Sequence, residues 1–220
     1  MISSASAMIQ LTRQGLAGTV DLAELNSQFE QSHVFRVPGL LHPDLIQFIS
    51  ARLESCIWIT RTDGAIAQES VPDNPTLAGV LNFAANTSEF LDVIRRITQC
   101  HQIARFGGRV YRMGSSTDYF DSWHADMRGT HQDRLVGMSI NLGLRPYQGG
   151  VFRLRDEASG AVLCELPNTS QGDAIFFRIS PALKHMVTPV QGSEPKTAFA
   201  GWFRSGEVNY YGGLRQPALA

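Results

Sequence analysis

His124 and Asp126 stand two residues apart in Trp123-His124-Ala125-Asp126, and no other local feature of the sequence points so directly at chemistry. Side chains at i and i+2 of a strand leave the backbone on the same side. One imidazole and one carboxylate therefore converge on a point. They supply two of the three ligands in the face of two histidines and one carboxylate that suits ferrous iron. Such a face leaves the opposite coordination positions open to a cosubstrate and O2. A lone His-x-Asp pair is weak, because a strand-end histidine often only hydrogen-bonds an adjacent aspartate at the surface. A second histidine has to come from elsewhere.

His185 is the best candidate, in the apolar run Leu183-Lys184-His185-Met186-Val187-Thr188-Pro189-Val190. A polar ring in an apolar strand needs a buried partner, and a satisfied core histidine is the plain alternative to a ligand. Lys196 follows and opens the apolar strand Thr197 to Phe203. A cation there suits an anionic cosubstrate such as 2-oxoglutarate. One carboxylate and the keto group would chelate iron, while the far carboxylate pairs with Lys196 in a partly dry pocket. Taken alone, Lys196 reads equally well as a solvated loop lysine after Ser193-Glu194-Pro195. His33, His42, His101 and His131 sit by turns, at a helix end or in a polar loop, and are weaker candidates.

These groups need a frame to hold them. From Phe106 onward the sequence gives short apolar runs bounded by Gly, Pro, Asn and Asp. They cover 109–113, 119–125, 135–142, 150–154, 161–166, 174–179, 185–190 and 197–203. No helices alternate with them, so an antiparallel sandwich or barrel is expected rather than a parallel α/β sheet. Before them, helical spacing covers 21–31, 43–53, 76–84 and 88–100, with short strands at 33–37 and 56–60. Residues 1–19 read as a loose leader. The polar, turn-rich stretch 61–75 reads as a lid or binding loop. The expected class is mainly β with N-terminal helices, as a single domain over 1–220. Its helical support region is 1–105 and its jelly-roll-like core 106–206.

Composition narrows the function classes. The 220 residues are 43% hydrophobic with a net charge of -1, enough for a core and too balanced to hold phosphate backbones. Nucleic acid is not an expected partner. Three scattered cysteines without a Cys-x-x-Cys read as buried, reduced thiols. No signal peptide or membrane-length apolar run is evident, so a cytoplasmic protein without a membrane partner is expected. The oligomeric state is left open.

Taken in order, these motifs resemble the Fe(II)/2-oxoglutarate-dependent dioxygenase superfamily, in its prolyl 4-hydroxylase-like branch. The resemblance runs from Phe35-Arg36-Val37-Pro38-Gly39 through Tyr111, His124-Ala125-Asp126 and Gly149-Gly150-Val151-Phe152 to Gly172-Asp173-Ala174-Ile175. It closes on His185 to Val190, Lys196 and Trp202. It implies a double-stranded β-helix, a cupin-like jelly roll. It also implies His124, Asp126 and His185 as catalytic iron ligands, and Lys196 as the cation for the distal carboxylate. Tyr111 matches a tyrosine that helps hold the cosubstrate, with Thr197 or Arg112 as alternatives. The basic residue is Lys where Arg is commoner. The implied cofactors are Fe(II), 2-oxoglutarate and O2, with ascorbate as a candidate reductant. The implied reaction is hydroxylation or a related oxidation of an unactivated C–H, releasing succinate and CO2. A small-molecule substrate, such as an amino acid or natural-product intermediate, is expected because no separate peptide-binding domain is evident. A protein-prolyl hydroxylase and a non-catalytic jelly-roll binding module are the alternatives. Trp123, Arg128 and the 61–75 loop are candidate substrate contacts.

Overall fold

A computed structural model describes residues 9–19, 21–62, 68–115, 121–127, 132–167 and 170–206. The chain opens with β1 (Gln10–Thr12), β2 (Gly15–Ala17), α1 (Leu22–Ser32), β3 (Val34–Val37) and α2 (Pro43–Glu54). It continues through β4 (Trp58–Arg61), β5 (Glu69–Pro72), α3 (Thr76–Ala85) and α4 (Ser88–Thr98). Then come β6 (Ile103–Met113), β7 (Asp121–His124), β8 (Arg134–Asn141), β9 (Gln148–Gly149) and β10 (Phe152–Asp156). The described chain closes with β11 (Val162–Leu166), β12 (Ala174–Arg178), β13 (Leu183–Val187), β14 (Val190–Gln191) and β15 (Lys196–Ser205).

Local chemistry sets the helix boundaries. The Asp21 carboxylate accepts from the N–H groups of Ala23 and Glu24 at the start of α1. Before α2, His42 plays the same part: its Nδ1 accepts from Asp44 N, with Pro43 in the first turn. Gln99, at φ 56°, closes α4 in the left-handed region, so His101 is not its cap.

Two antiparallel sheets form the core, ordered β3-β12-β8-β15-β6-β5-β4 and β11-β10-β13-β7. The mainly β jelly-roll class read from the sequence is the class found. One face of the seven-stranded sheet carries Phe35, Phe176, Met138, Phe199, Val110, Phe106 and Phe203, packed against α1 to α4. Phe35 stacks on Phe176 with ring centroids 4.5 Å apart, and Phe29 of α1 meets Phe35 edge-on at 5.7 Å. The opposite face turns Ile175 and Phe177 towards Phe152 and Leu154 of the smaller sheet. The candidate site opens between the two sheets.

Four expectations need correction. The supposed leader contains the β1–β2 hairpin, whose Leu11 is buried and bridges to Leu41. The polar stretch 61–75 contains β5, paired to β4 and, through Ser70↔Arg112, to β6. The 1–105 region is therefore more than helical support, because β3, β4 and β5 extend the larger sheet. Cys56, Cys100 and Cys164 are free thiols, but only partly rather than fully buried.

Where β5 ceases to cover β6, Asn82 of α3 and Asn86, the residue that caps its C-terminus, replace a strand. The Asn82 amide donates to Gly108 O and accepts from Gly108 N, each at 2.8 Å. Asn86 does the same for Phe106, at 3.0 and 2.7 Å. A primary amide offers one acceptor and one donor side by side, as a neighbouring strand does.

Candidate active site

His124 ends β7, and His185 lies opposite it in the β13–β7 register. Asp126 follows two residues later, 5% exposed. Ligand atoms of His124, Asp126 and His185 all lie within 4.8 Å of one another. The Nε2 atoms of both histidines stand 3.6 Å from separate oxygens of the Asp126 carboxylate. Two imidazole nitrogens and one carboxylate oxygen form a donor set that fits Fe(II). The fit extends outward. His124 Nδ1 lies 2.7 Å from Ser122 O, which places its proton there and leaves Nε2 as the lone-pair atom facing the cluster. Trp202 Nε1 donates to Asp126 Oδ2 at 2.6 Å. Burial pushes the Asp126 carboxyl up. When the two imidazoles are protonated, the His185 charge, the His124 and Trp202 N–H groups and the His124 charge outweigh it, and hold the group well below the usual carboxylate range.

Register explains what else faces the cluster. On the inner face of the larger sheet, Tyr111 pairs with Ala198, Arg109 with Ala200, and Gly107 with Trp202. Strand alternation therefore brings Lys196, Tyr111, Arg109 and Trp202 to one side, and all four line the pocket that contains the three candidate ligands. Lys196 is 3% exposed and donates from Nζ to Gly150 O at 3.0 Å. Gly150 has φ +59°, and a Cβ on it would lie 3.0 Å from Lys196 Cδ and 2.9 Å from Tyr147 Cε2. The glycine lets the backbone carbonyl reach the ammonium. Phe152, Ile175, Phe177 and Val187 make the rest of the wall mostly apolar.

Thr197 is not among the residues that line this pocket. One position past Lys196, it points through the other face of β15, where its hydroxyl accepts from Arg112 Nε at 3.1 Å. Arg112 lies over the Trp58 ring at 3.8 Å, also away from the pocket. Trp123 neighbours His124 and so faces outward, with Arg155 4.5 Å from its ring centroid. Arg128 and His131 lie outside the described residues. Arg109, Ser139 and Trp202 line the pocket although no motif had marked the first two. The available signal was spacing: Arg109 stands two residues before Tyr111 on one strand.

Comparison with known proteins agrees with this geometry. Residues 108–204 match the family model for the 2OG-Fe(II) oxygenase superfamily. No curated protein matches the chain. Among solved structures, a Pseudomonas putida prolyl-4-hydroxylase aligns with TM-score 0.62 at 18% identity, covering 85% of this chain and 100% of its own. A Trichoplax adhaerens prolyl hydroxylase in complex with a hypoxia-inducible-factor peptide fragment gives 0.58 at 14%, over 84% and 89%. The non-haem α-ketoglutarate-dependent epimerase SnoN from nogalamycin biosynthesis gives 0.59 at 13%, over 90% and 93%. At these identities the structural likeness speaks for the fold.

Proposed function

We propose, from the match of residues 108–204 to the 2OG-Fe(II) oxygenase superfamily model, that His124, Asp126 and His185 hold Fe(II), and that Lys196 with Tyr111 receives the far carboxylate of 2-oxoglutarate. The carrying observation is the convergence of the three donors beside a buried ammonium in one pocket. When bound there, iron and 2-oxoglutarate would supply the two-electron oxidation of a substrate C–H by O2, with succinate and CO2 as coproducts. The protein's own groups orient and insulate. Trp202 fixes the Asp126 carboxylate. Ser122 O fixes the His124 ring. Lys196 neutralises an anion where water is scarce. Phe152, Ile175, Phe177 and Val187 keep the reacting region dry. The whole chain acts as one domain in the cytoplasm.

The favoured substrate is a small molecule, because the pocket lies between the sheets and its wall is mostly apolar. A peptidyl-proline substrate is the second reading, supported by the likeness to prolyl hydroxylases. Anaerobic titration of metal-free protein with Fe(II) and 2-oxoglutarate tests the site. A visible charge-transfer band should form, and His185→Ala should abolish it. No band in the native protein would overturn the reading and favour a non-catalytic binding module. Succinate release in the presence of amino acids or of proline peptides then separates the two substrate readings.

A further inference from the structure

A second cavity adjoins the site and shares Arg109 and Trp202 with it. Its described lining includes three guanidinium groups, Arg105, Arg109 and Arg204, together with Asn82, Asn86 and Phe83, and no carboxylate. Among the described residues, the acids that touch these arginines, Glu69 and Asp133, do not line the cavity. Glu69 is fully buried and accepts from Arg109 Nε at 3.2 Å and Nη2 at 2.9 Å, and also from Arg61. Asp133 is shared in the same way by Arg105 and Arg204. Among the described residues each of these two carboxylates is shared by two guanidinium groups. The two-point contact with Glu69 also fixes the plane of the Arg109 fork, which lowers the entropy lost when it binds an oxyanion. Ala200, opposite Arg109 in the register, adds only a methyl group beside it.

We infer that the substrate is a small organic anion, with its carboxylate or similar oxyanion held by Arg109 at the junction of the two cavities and its apolar body directed past Trp202 to the metal cluster. This deepens the reading given under Proposed function and rests on it. Lys196 lies deeper in the pocket and serves the cosubstrate, so the two anions have separate cations. The apolar wall accounts for the body, and the arginine-lined cavity for the charged end.

The test uses matched pairs of small apolar carboxylates and their primary amides, such as 4-phenylbutyrate and 4-phenylbutyramide. Binding is measured by calorimetry on the whole chain, metal-free and again under anaerobic Fe(II) with saturating 2-oxoglutarate. The carboxylates should bind about tenfold or more tightly than their amides, and Arg109→Gln should erase the difference. Should Arg109→Gln fail to fold with Glu69 left half-paired, the double variant Arg109→Gln/Glu69→Gln removes both charges and should erase the preference equally. Arg109→Lys should keep part of it. Equal affinity for acids and amides, no binding of either, or a preference that survives in the glutamine variants overturns the inference. The charge-transfer band is read in the same samples. A band without the preference sinks this inference alone, whereas a preference without the band supports the anion site and sinks the iron reading.

Discussion

Trp202 supports the candidate ligand Asp126 from the far end of β15, and its contribution can be isolated. Trp202→Phe keeps an aromatic ring and removes the 2.6 Å hydrogen bond to Asp126 Oδ2. Fe(II) affinity should fall about 10- to 100-fold, read by anaerobic titration; unchanged affinity would mean that the indole only packs. Cys164 offers a pH test elsewhere in the molecule. Burial pushes its thiol up to about 11. Only the thiolate is nucleophilic, so the native thiol is protonated and slow below that value. Alkylation at pH 8 should be slower in the folded protein than in urea. Its rate should climb as pH approaches 11. Equal rates at pH 8 would contradict the burial. At this scale the sequence was legible where one strand suffices. His124 and Asp126 converge as their i and i+2 spacing suggests, although β7 ends at His124. Thr197 fails by the same rule, since a neighbour of Lys196 must face the other way. Arg109 and its junction with Trp202 depend on how β6 pairs with β15, and pairing between distant strands leaves no local mark.

The asparagine pair of α3 and the glycine of β15 govern how the elements fit. Asn82→Ala or Asn86→Ala leaves an N–H and a C=O of β6 without their amide partner. Each should cost about 1–3 kcal/mol in urea unfolding; a loss of only a few tenths would mean that water replaces the amide. Gly201→Ala should be worse. Its Cβ would lie 2.1 Å from Gly107 O and 2.4 Å from Gly108 Cα, both backbone atoms that side-chain rotation cannot move. A loss of about 3 kcal/mol or more is expected. Gly107→Ala is the matched control, since nothing lies within 4 Å of its Cβ. Helices with clear periodicity and caps, such as α1 and α2, were readable to within a residue or two. β5 was not, because Glu69 looks like a loop residue until Arg61 and Arg109 neutralise it in the interior. The β1–β2 hairpin was hidden for another reason: its strands span three residues each, too short to show a period.

At the scale of the molecule, binding and stability are linked. Fe(II) with 2-oxoglutarate at about 100 times Kd adds roughly 2.7 kcal/mol, or about 5–10 °C in Tm for a chain of this size. Thermal unfolding with the pair and with a chelator should show that difference, and His185→Ala should melt alike in both. No described helix is long and apolar enough to cross a membrane. The double-sheet class was legible as a whole because turn-bounded apolar runs recur down the second half of the chain, while the order of strands within each sheet was not. One strand links all of this. β15 carries Lys196 at its start and Trp202 six positions on, both on the inner face. The strand is therefore a ruler of about 20 Å with the proposed cosubstrate cation at one mark and the anchor of the candidate metal carboxylate at the other. A slip of one residue would turn both marks to the wrong side together. A misassembled copy would lose cosubstrate and metal support in the same stroke. It would be inert, not a half-built oxidant loose in the cell.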